Sequence, residues 1–408
     1  MNQLLLLRRI VKTGDERGTV LIAGLLTIVL LTVLGLAGMM NTGTELRIAA
    51  NDRSAKEAFY AAEAGVEDAR SRLLTSASPS PIPDNQPNSV SWSSFVGTQQ
   101  RAQQKGYDSS NSSHFRYDRV NSTTLDYVVT LTHKLNASNQ ILRWGDSNGD
   151  GLPEENITTG NNIYVITSEG YTSTGAVKPV RIECTKPPPV PAPAALYTKE
   201  QTTIMGTSTN VIGMDGCGTS SVPGIVTKST VNENGNPTIT GSPVPMIQNS
   251  TMNLDVQALV NSFKNKANYS YNVNGGSPPV QNWGSPTPGA DQQSPSSCSA
   301  QNIVYINTNS TYVQLTGGAS GCGILLVDGD LDVHGGFQWY GVILVTGSLT
   351  FSGGGQETKN VTGAILAAGT TAVDVVGGNA NIVYCGQAVQ APTDNLPMIT
   401  LRWAEIFG

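Results

Sequence analysis

The chain has 408 residues, a net charge of −6 and only 13% charged side chains, with 44 glycines and long runs of serine, threonine and asparagine. This length allows two or three domains, and the acidic balance excludes a basic nucleic-acid-binding surface, so no nucleic acid is expected as a partner. The polar, glycine-rich composition is typical of a β-rich protein outside the cytoplasm.

The first predicted element is an apolar helix close to the N-terminus. Residues 1–18 carry four basic side chains and end in Gly18, and residues 19–40, from Thr19 to Met40, carry no charge. About 20 apolar residues are enough to span a bilayer, and basic residues ahead of the span favour a cytoplasmic start. We therefore expect residues 1–18 to be a leader and residues 19–40 to be a single membrane anchor with an exported remainder.

The helix is predicted to continue beyond the bilayer as an amphipathic segment. Apolar side chains recur at spacings of three and four residues, which places them on one face of a helix. They are Ala55, Phe59, Ala62, Val66, Ala69 and Leu73. A helix over residues 19–74 would be roughly 80 Å long. Half would lie in lipid and half against a soluble domain.

This N-terminal region resembles that of PilX-type minor pilins. The resemblance lies in the leader ending in Gly18, the apolar helix, and the pattern formed by Asn51, Arg53 and residues 58–65. It implies cleavage between Gly18 and Thr19 by a prepilin peptidase. It also implies a place in type IV pilus assembly, with other pilins and the inner-membrane assembly machinery as partners. The chain would then cross the inner membrane once before assembly and reach the pilus or cell surface afterwards.

One position departs from the pattern of major pilins, which keep a glutamate five residues into the mature chain. The corresponding residue here is Ala23. The resemblance therefore implies a low-copy or tip subunit rather than the filament shaft. An adhesin, or a pseudopilus subunit of a secretion system that uses the helix as a mount, is the alternative. A plain single-pass anchor also stays open.

The exported part is predicted to begin with a small pilin-like β domain over residues 75–186. Residues 75–120 are polar and weakly periodic, which indicates a surface loop. Short β-branched segments at residues 125–133, 163–169 and 177–184 predict strands. A long helix packed on a small antiparallel sheet, an α+β arrangement, is expected. The proline run at residues 187–193 predicts a stiff linker.

An acidic segment within this domain matches part of a calcium-binding loop. Oxygen-bearing residues alternate along it and a glycine, Gly151, follows at the turn position, as a hard cation requires. The predicted ligands are Asp146, Asn148, Asp150, the Leu152 carbonyl, and Glu154 or Glu155. The usual glutamate at position 12 is replaced by Ile157. Ca²⁺ is therefore the expected cofactor of a variant loop, and a solvated turn is the alternative.

Residues 194–408 are predicted to form a second, glycine-rich β-repeat domain. Similar segments begin at Gly323, Gly341 and Gly363, at offsets of 18 and 22 residues. Short apolar strands at near-fixed offsets favour a β-solenoid, with a β-sandwich as the alternative. Residues 225–300 are interpreted as an irregular insertion around a helix at 253–266. Residues 397–407 are expected to cap the free strand edge.

No catalytic motif stands out, so an enzyme is not expected. The three histidines lie in no known metal or triad motif, and His334, beside Asp332, is expected on a solvated face. Phe337 and Trp339 are a possible binding surface for sugar rings, although such aromatics often pack in cores. The five cysteines form no CxxC pair, which leaves two disulfides with one free thiol, or buried thiols, as alternatives.

Overall fold

The computed structural model describes residues 16–74, 80–120, 125–218, 220–289, 296–352, 359–369, 373–394 and 396–405. A long N-terminal helix is followed by a β-rich chain, as predicted, and the described strands form two sheets. The leader residues 1–15 lie outside the described part. The described helices are α1 Glu16–Leu73, α2 Gln99–Gln104, α3 Val256–Phe263 and α4 Gly386–Asp394.

The first sheet has eight strands and carries the C-terminal half of α1. In spatial order its main strands run β2-β1-β3-β6-β7-β24, and β4 and β5 extend from β6. All of the pairs are antiparallel except β1 with β2. The strands are β1 Ser93–Val96, β2 His114–Tyr117, β3 Asp126–His133, β4 Arg143–Gly145, β5 Glu154–Asn156, β6 Asn161–Tyr171, β7 Val177–Thr185 and β24 Ile399–Glu405.

Helix α1 packs on this sheet through the apolar face that the sequence predicts. Ala62, Val66, Ala69 and Leu73 are buried in one core with side chains of β3, β6 and β7. The close approach depends on Gly170, because a Cβ atom at this position would lie 2.0 Å from the Ala58 carbonyl oxygen. The C-terminal half of α1 thus covers one face of the antiparallel strands.

Residues 80–120 are more ordered than the predicted surface loop. They contain β1, α2 and β2, and Trp92 and Phe95 are buried there. Thr98 caps α2 by accepting a hydrogen bond from the Arg101 N–H group. The low periodicity of the segment hid its strands, since each is only four residues long.

The second sheet has sixteen described strands, and all of their pairs are parallel. They are β8 Leu196–Thr198, β9 Thr202–Met205, β10 Asn210–Ile212, β11 Ile225–Thr227, β12 Val231–Asn234, β13 Thr238–Thr240, β14 Met246–Ile247, β15 Tyr269–Asn272, β16 Asn282–Trp283, β17 Asn302–Leu315, β18 Ala319–His334, β19 Phe337–Val345, β20 Leu349–Ser352, β21 Lys359–Ala367, β22 Asp374–Val376 and β23 Ala380–Val383.

The sequence repeat corresponds to strands stacked in register. Gly323 pairs with Gly341, and Gly341 with Gly363, so the three repeat units lie directly above one another in β18, β19 and β21. The glycines are required at these positions. Gly341 has a φ angle of +133°, and a Cβ atom on it would lie 2.0 Å from the Gly323 carbonyl oxygen.

Two sequence expectations about this region are wrong. Residues 225–247 are not an irregular insertion, because β11 to β14 pair with other strands of the parallel sheet. The expected helix at 253–266 is present as α3 and a 3₁₀ turn, Lys264–Lys266. The C-terminal strand β24 does not cap the parallel sheet. It pairs with β7, where it completes the first sheet by backbone hydrogen bonding.

The cysteines form two disulfides, Cys217–Cys385 and Cys298–Cys322, and Cys184 is a buried free thiol. This agrees with the alternative of two disulfides and one thiol. Both disulfides belong to a small cluster with Tyr340 and Ala388, beside α4.

Candidate functional site

The N-terminal half of α1 is the most unusual surface of the described chain. Every side chain from residue 19 to residue 53 is exposed, including the apolar ones between Thr19 and Met40. This is the one helix among the described residues that is long and apolar enough to cross a membrane. Apolar surface of this extent calls for lipid or neighbouring helices around it.

Polar side chains within this apolar half satisfy themselves locally. The hydroxyl of Thr27 donates to the Ala23 carbonyl at 2.8 Å, and that of Thr32 donates to the Ile28 carbonyl at 2.7 Å. Such bonds remove the need for water, which a lipid environment does not provide. Gly18 and Thr19 lie in the first turns of α1, and cleavage between them stays a prediction.

The acidic segment forms the loop of the β4–β5 hairpin. Carboxylate oxygens of Asp146, Asp150 and Glu154 lie within 4.8 Å of one another. Asp146 accepts hydrogen bonds from the Gly149 and Gly151 N–H groups at 2.6 and 2.7 Å, which curls the loop around its carboxylate. This arrangement presents three oxygen ligands on one side, the donor type that a hard cation prefers.

The other residues predicted as ligands differ in their placement. Asn148 accepts a hydrogen bond from the Asp150 N–H group at 2.8 Å, and the Leu152 N–H group donates to Asp150 at 2.8 Å. Of the two glutamates that the sequence could not separate, Glu154 joins the cluster. Glu155 instead forms an ion pair with Lys134 at 2.7 Å and lies outside it.

The loop also contacts the part of the chain that carries the second sheet. The Asp255 N–H group, at the start of α3, donates to the Asp150 carbonyl at 3.0 Å. Gly151 lies against Leu254 and Leu259, since a Cβ built on it would be 3.2 Å from Leu254 and 3.7 Å from Leu259. The acidic loop is therefore part of the junction between the two sheets.

The predicted aromatic binding surface is wrong. Phe337 and Trp339 are 1% and 0% exposed, and their rings stack with centroids 6.3 Å apart inside the parallel sheet. The Trp339 indole N–H donates to the Gly323 carbonyl at 3.1 Å, so its polar atom is satisfied internally. Both residues occupy positions of β19 whose side chains point inward, and a pattern of alternate aromatics does not reveal which face is buried.

His334 lies at the half-exposed end of β18, close to the solvated position expected for it. Its Nε2 atom lies 2.7 Å from an Asp332 carboxylate oxygen, and its Nδ1 atom lies 3.0 Å from the Ser352 hydroxyl. Sequence reasoning missed Ser352, although it stands 18 residues after His334, which is the first repeat offset. The three side chains link adjacent levels of the sheet by hydrogen bonds.

A groove beside α1 was also missed by sequence reasoning. It has a volume of about 320 Å³ and lies between α1 and β24, with Val66, Arg70, Ile182 and Trp403 among its lining residues. Trp403 is 52% exposed. Trp403 is far in sequence from the other residues that line the groove. Only the pairing of β24 with β7 brings it beside them.

These features fit a membrane-anchored protein in which the apolar helix α1 continues onto a β-rich part of the chain. Residues 17–67 match the family model described as PilX N-terminal. The chain thus carries a PilX-type N-terminal region, as its sequence predicts, and this fits a membrane-anchored component related to type IV pili. The match covers the helix only. No curated protein and no solved structure matches the chain.

Proposed function

We propose that this protein is a minor pilin, a low-copy or tip subunit that takes part in type IV pilus assembly. The observation that carries the proposal is helix α1, whose PilX-type sequence combines an exposed apolar half with a half packed on an antiparallel sheet. Ala23, in place of the glutamate of major pilins, favours a position outside the shaft. The proposed role is structural and not catalytic.

The proposal includes processing of the leader between Gly18 and Thr19 by a prepilin peptidase. It is tested by mass analysis of the N-terminal peptide of protein purified from native membranes. We expect a mature chain that begins at Thr19. A mature chain that retains Met1 would contradict the pilin assignment, because an uncleaved leader leaves charged residues ahead of the helix and prevents its packing among other pilin helices.

Adhesion is the second candidate function, with a pseudopilus subunit as a related alternative. Adhesion is favoured by the size of the parallel sheet. This sheet extends from β8 to β23 and contains about half of the chain. Imaging of cells that lack the gene separates the candidates. Loss of pili supports an assembly role, whereas normal pili with lost adherence support the adhesin.

We interpret the parallel sheet, over residues 194–394, as a separate β-solenoid unit. The register of the repeat glycines supports this interpretation, and so does a row of asparagine side chains. Asn210 donates to Asn381 at 2.5 Å, and Asn381 donates to Asn360 at 2.9 Å, on three adjacent levels. Side chains that repeat at the same position of successive coils are typical of solenoids.

We further propose that the acidic loop binds Ca²⁺ through Asp146, Asp150 and Glu154. The convergence of their oxygens and the turn at Gly151 support the proposal. A bound cation would offset the repulsion among three carboxylates and hold the loop against α3. Its role would be structural, at the junction between the sheets.

Calorimetric titration of the full chain in detergent micelles with Ca²⁺ tests this site. We expect binding by the unmodified chain, loss of binding in Asp150→Asn, and unchanged binding in the control Glu155→Gln, because Glu155 is paired with Lys134. Chelation should also speed proteolysis near residue 146. Equal titration curves for the unmodified chain and Asp150→Asn would end the calcium proposal.

A further inference from the structure

The chain builds the parallel sheet in two directions. It begins with β8, β9 and β10, which form one level, and then continues outward to the level of β11, β12 and β13 and to β14. After α3 it starts again at the opposite end with β15 and returns level by level through β17, β18, β19 and β21. The two directions meet in the middle of the sheet.

The meeting place, which we call the seam, consists of three strand pairs, β21–β8, β22–β9 and β23–β10. Their registers join Ile365 to Leu196, Asp374 to Thr202 and Asn381 to Asn210. Asn210 and Asn381 are 171 residues apart in sequence, whereas Gly323 and Gly341 belong to successive repeats. Because the seam joins distant segments, its closure carries a larger entropic cost than other level contacts.

One of the two disulfides spans the seam. Cys217 follows β10 and Cys385 follows β23, and the bond between them closes 168 residues of chain. The disulfide therefore links the ends of β23 and β10, which are the two strands of the third seam pair. A crosslink of this kind restricts how far the two halves separate when their strands part.

A buried carboxyl group lies in the second seam pair. Asp374 is fully buried, its N–H group donates to the Gln201 carbonyl at 3.0 Å, and its Oδ1 atom accepts from the Leu349 N–H group at 2.7 Å. Among the described residues its Oδ2 atom has no hydrogen-bond partner. A buried carboxylate with one unpaired oxygen is costly in the charged form, so this geometry favours the neutral acid.

The charged groups that face Asp374 do not compensate a negative charge. They are Glu200, from the turn between β8 and β9, and Asp330, from β18, and both are acidic. Burial is the main cause that raises the pKa of Asp374 to about 7. The Leu349 N–H bond opposes this rise, and the carboxylates of Glu200 and Asp330 add to it. The seam thus contains a titratable group that matters near neutral pH.

We propose that the seam is a proton-controlled closure of the parallel sheet. A neutral Asp374 holds the β22–β9 pair closed, its ionisation loosens the three seam pairs, and the Cys217–Cys385 disulfide limits the opening. Residues 194–252 are the part that loosens, because they are attached to the remaining coils through the seam. The inference is independent of the pilin assignment, since it rests on the strand pairing, the disulfide and the burial of Asp374.

The direction of the pH effect follows from the pKa of Asp374, which is higher in the closed seam than in an open one. The ordinary value is 3.8, so the closed seam binds the proton more tightly. Closure is therefore strongest below pH 4 and weakens as the pH rises to about 7, and above that it changes little. Between pH 6 and pH 8 the opening equilibrium should rise on the order of tenfold.

Hydrogen exchange of the full chain in detergent micelles tests the proposal. Peptides that cover β8, β9 and β10 are compared with peptides of β18 and β19 at pH 6 and pH 8, with labelling times scaled for intrinsic exchange. We expect the seam peptides alone to lose protection, by about tenfold. In Asp374→Asn the pH dependence should disappear. The control Glu233→Gln, at an exposed position of β12, should keep it.

The variant Cys217→Ser with Cys385→Ser tests the limiting role of the disulfide. At pH 8 it should open further than the unmodified chain, and adding Asp374→Asn should restore protection. Three results would each overturn the proposal. They are equal exchange of the unmodified chain at both pH values, loss of protection in β18 and β19 together with the seam, and a pH dependence that persists in Asp374→Asn. The first two need no variant, so they hold even if a substitution prevents folding.

Discussion

At the scale of single residues, the first sheet contains a buried polar cluster around His133. The ring is 3% exposed, its Nδ1 atom lies 2.9 Å from the Ser89 carbonyl, and its Nε2 atom lies 3.0 Å from an Asp84 carboxylate oxygen. Asp84 also accepts the Tyr164 hydroxyl at 2.9 Å. The Trp92 ring stacks on His133 with centroids 4.8 Å apart. This cluster fastens residues 84–92 onto β3 and β6.

The cluster predicts a specific response to acid. Burial alone would raise the pKa of Asp84, but hydrogen bonding and the positive field of His133, with bonds from Tyr164 and Asn162, lower it below its ordinary 3.8. A lowered carboxyl pKa contributes stability that is present above pH 3.8 and is lost as the pH falls through the folded-state value. We expect Asp84→Asn to lower the free energy of unfolding at pH 7 by about 1–3 kcal/mol.

Urea unfolding between pH 3 and pH 7 measures this effect, with Asp118→Asn as the control. The Asp118 side chain is 81% exposed, so its substitution should change the free energy of unfolding by less than about 0.5 kcal/mol. The difference between Asp84→Asn and the unmodified chain should shrink toward pH 3. Equal losses for both variants would show that Asp84 has no special part in the cluster.

The sequence could assign some residues of the candidate sites but not others. The loop spacing identified Asp146 and Asp150, but it left Glu154 and Glu155 open, because only the β4–β5 register determines which side chain turns toward the cluster. The burial of Trp339 could not be predicted either. Alternation in a strand gives two faces, and the covered face depends on neighbouring levels of the sheet.

At the scale of elements, the repeat glycines explain why the sequence predicted stacked strands correctly. Gly323, Gly341 and Gly363 recur at offsets that match one level of the sheet, and each has a positive φ angle. The seam and the pairing of β24 with β7 carry no such signal. They join segments far apart in the chain, and short strands such as β8 have no distinctive pattern. Local spacing therefore predicted neighbouring levels, while distant pairings had to come from the structure.

The stacking of these glycines leads to a prediction about steric fit. In Gly341→Ala the new Cβ atom would meet the Gly323 carbonyl, which must shift, in addition to the cost of the positive φ angle. We expect a loss of about 2–4 kcal/mol in the free energy of unfolding of the parallel sheet. Thermal unfolding followed by circular dichroism measures it.

Gly335→Ala is the matched control for this substitution. Gly335 also has a positive φ angle, +76°, but the nearest atom to its Cβ position is 3.6 Å away. It should lose only the backbone contribution, about 1 kcal/mol. If both variants unfolded at the same temperature, close packing of successive glycines would not be what holds β18 and β19 in register.

At the scale of the whole molecule, the second sheet is inserted between two neighbouring strands of the first. The chain leaves the first sheet at the end of β7, builds the parallel sheet, and returns as β24, which pairs with β7. Both connections therefore begin from one edge of the first sheet. In the proposed pilin, a load on the displayed part would reach α1 through β7 and β24, and the acidic loop would add a third contact.

This insertion predicts that β24 protects the free thiol. Cys184 is fully buried in β7, opposite Thr400 of β24, and burial raises the pKa of its thiol to about 12. The other four cysteines are in disulfides, so a thiol reagent reports on this position.

A chain that ends at residue 396 lacks β24 and the Met398 carbonyl that accepts a hydrogen bond from Arg70 at 2.9 Å. We expect maleimide labelling of Cys184 to rise at least tenfold in the shortened chain under native conditions, while the full chain stays unlabelled until it is denatured. The double variant Cys217→Ser with Cys385→Ser, treated in the same way, separates this effect from opening of the parallel sheet, because Cys184 should remain protected there. Protection of Cys184 in the shortened chain would mean that α1 and β6 enclose the thiol without β24, and that the first sheet does not depend on the returning strand.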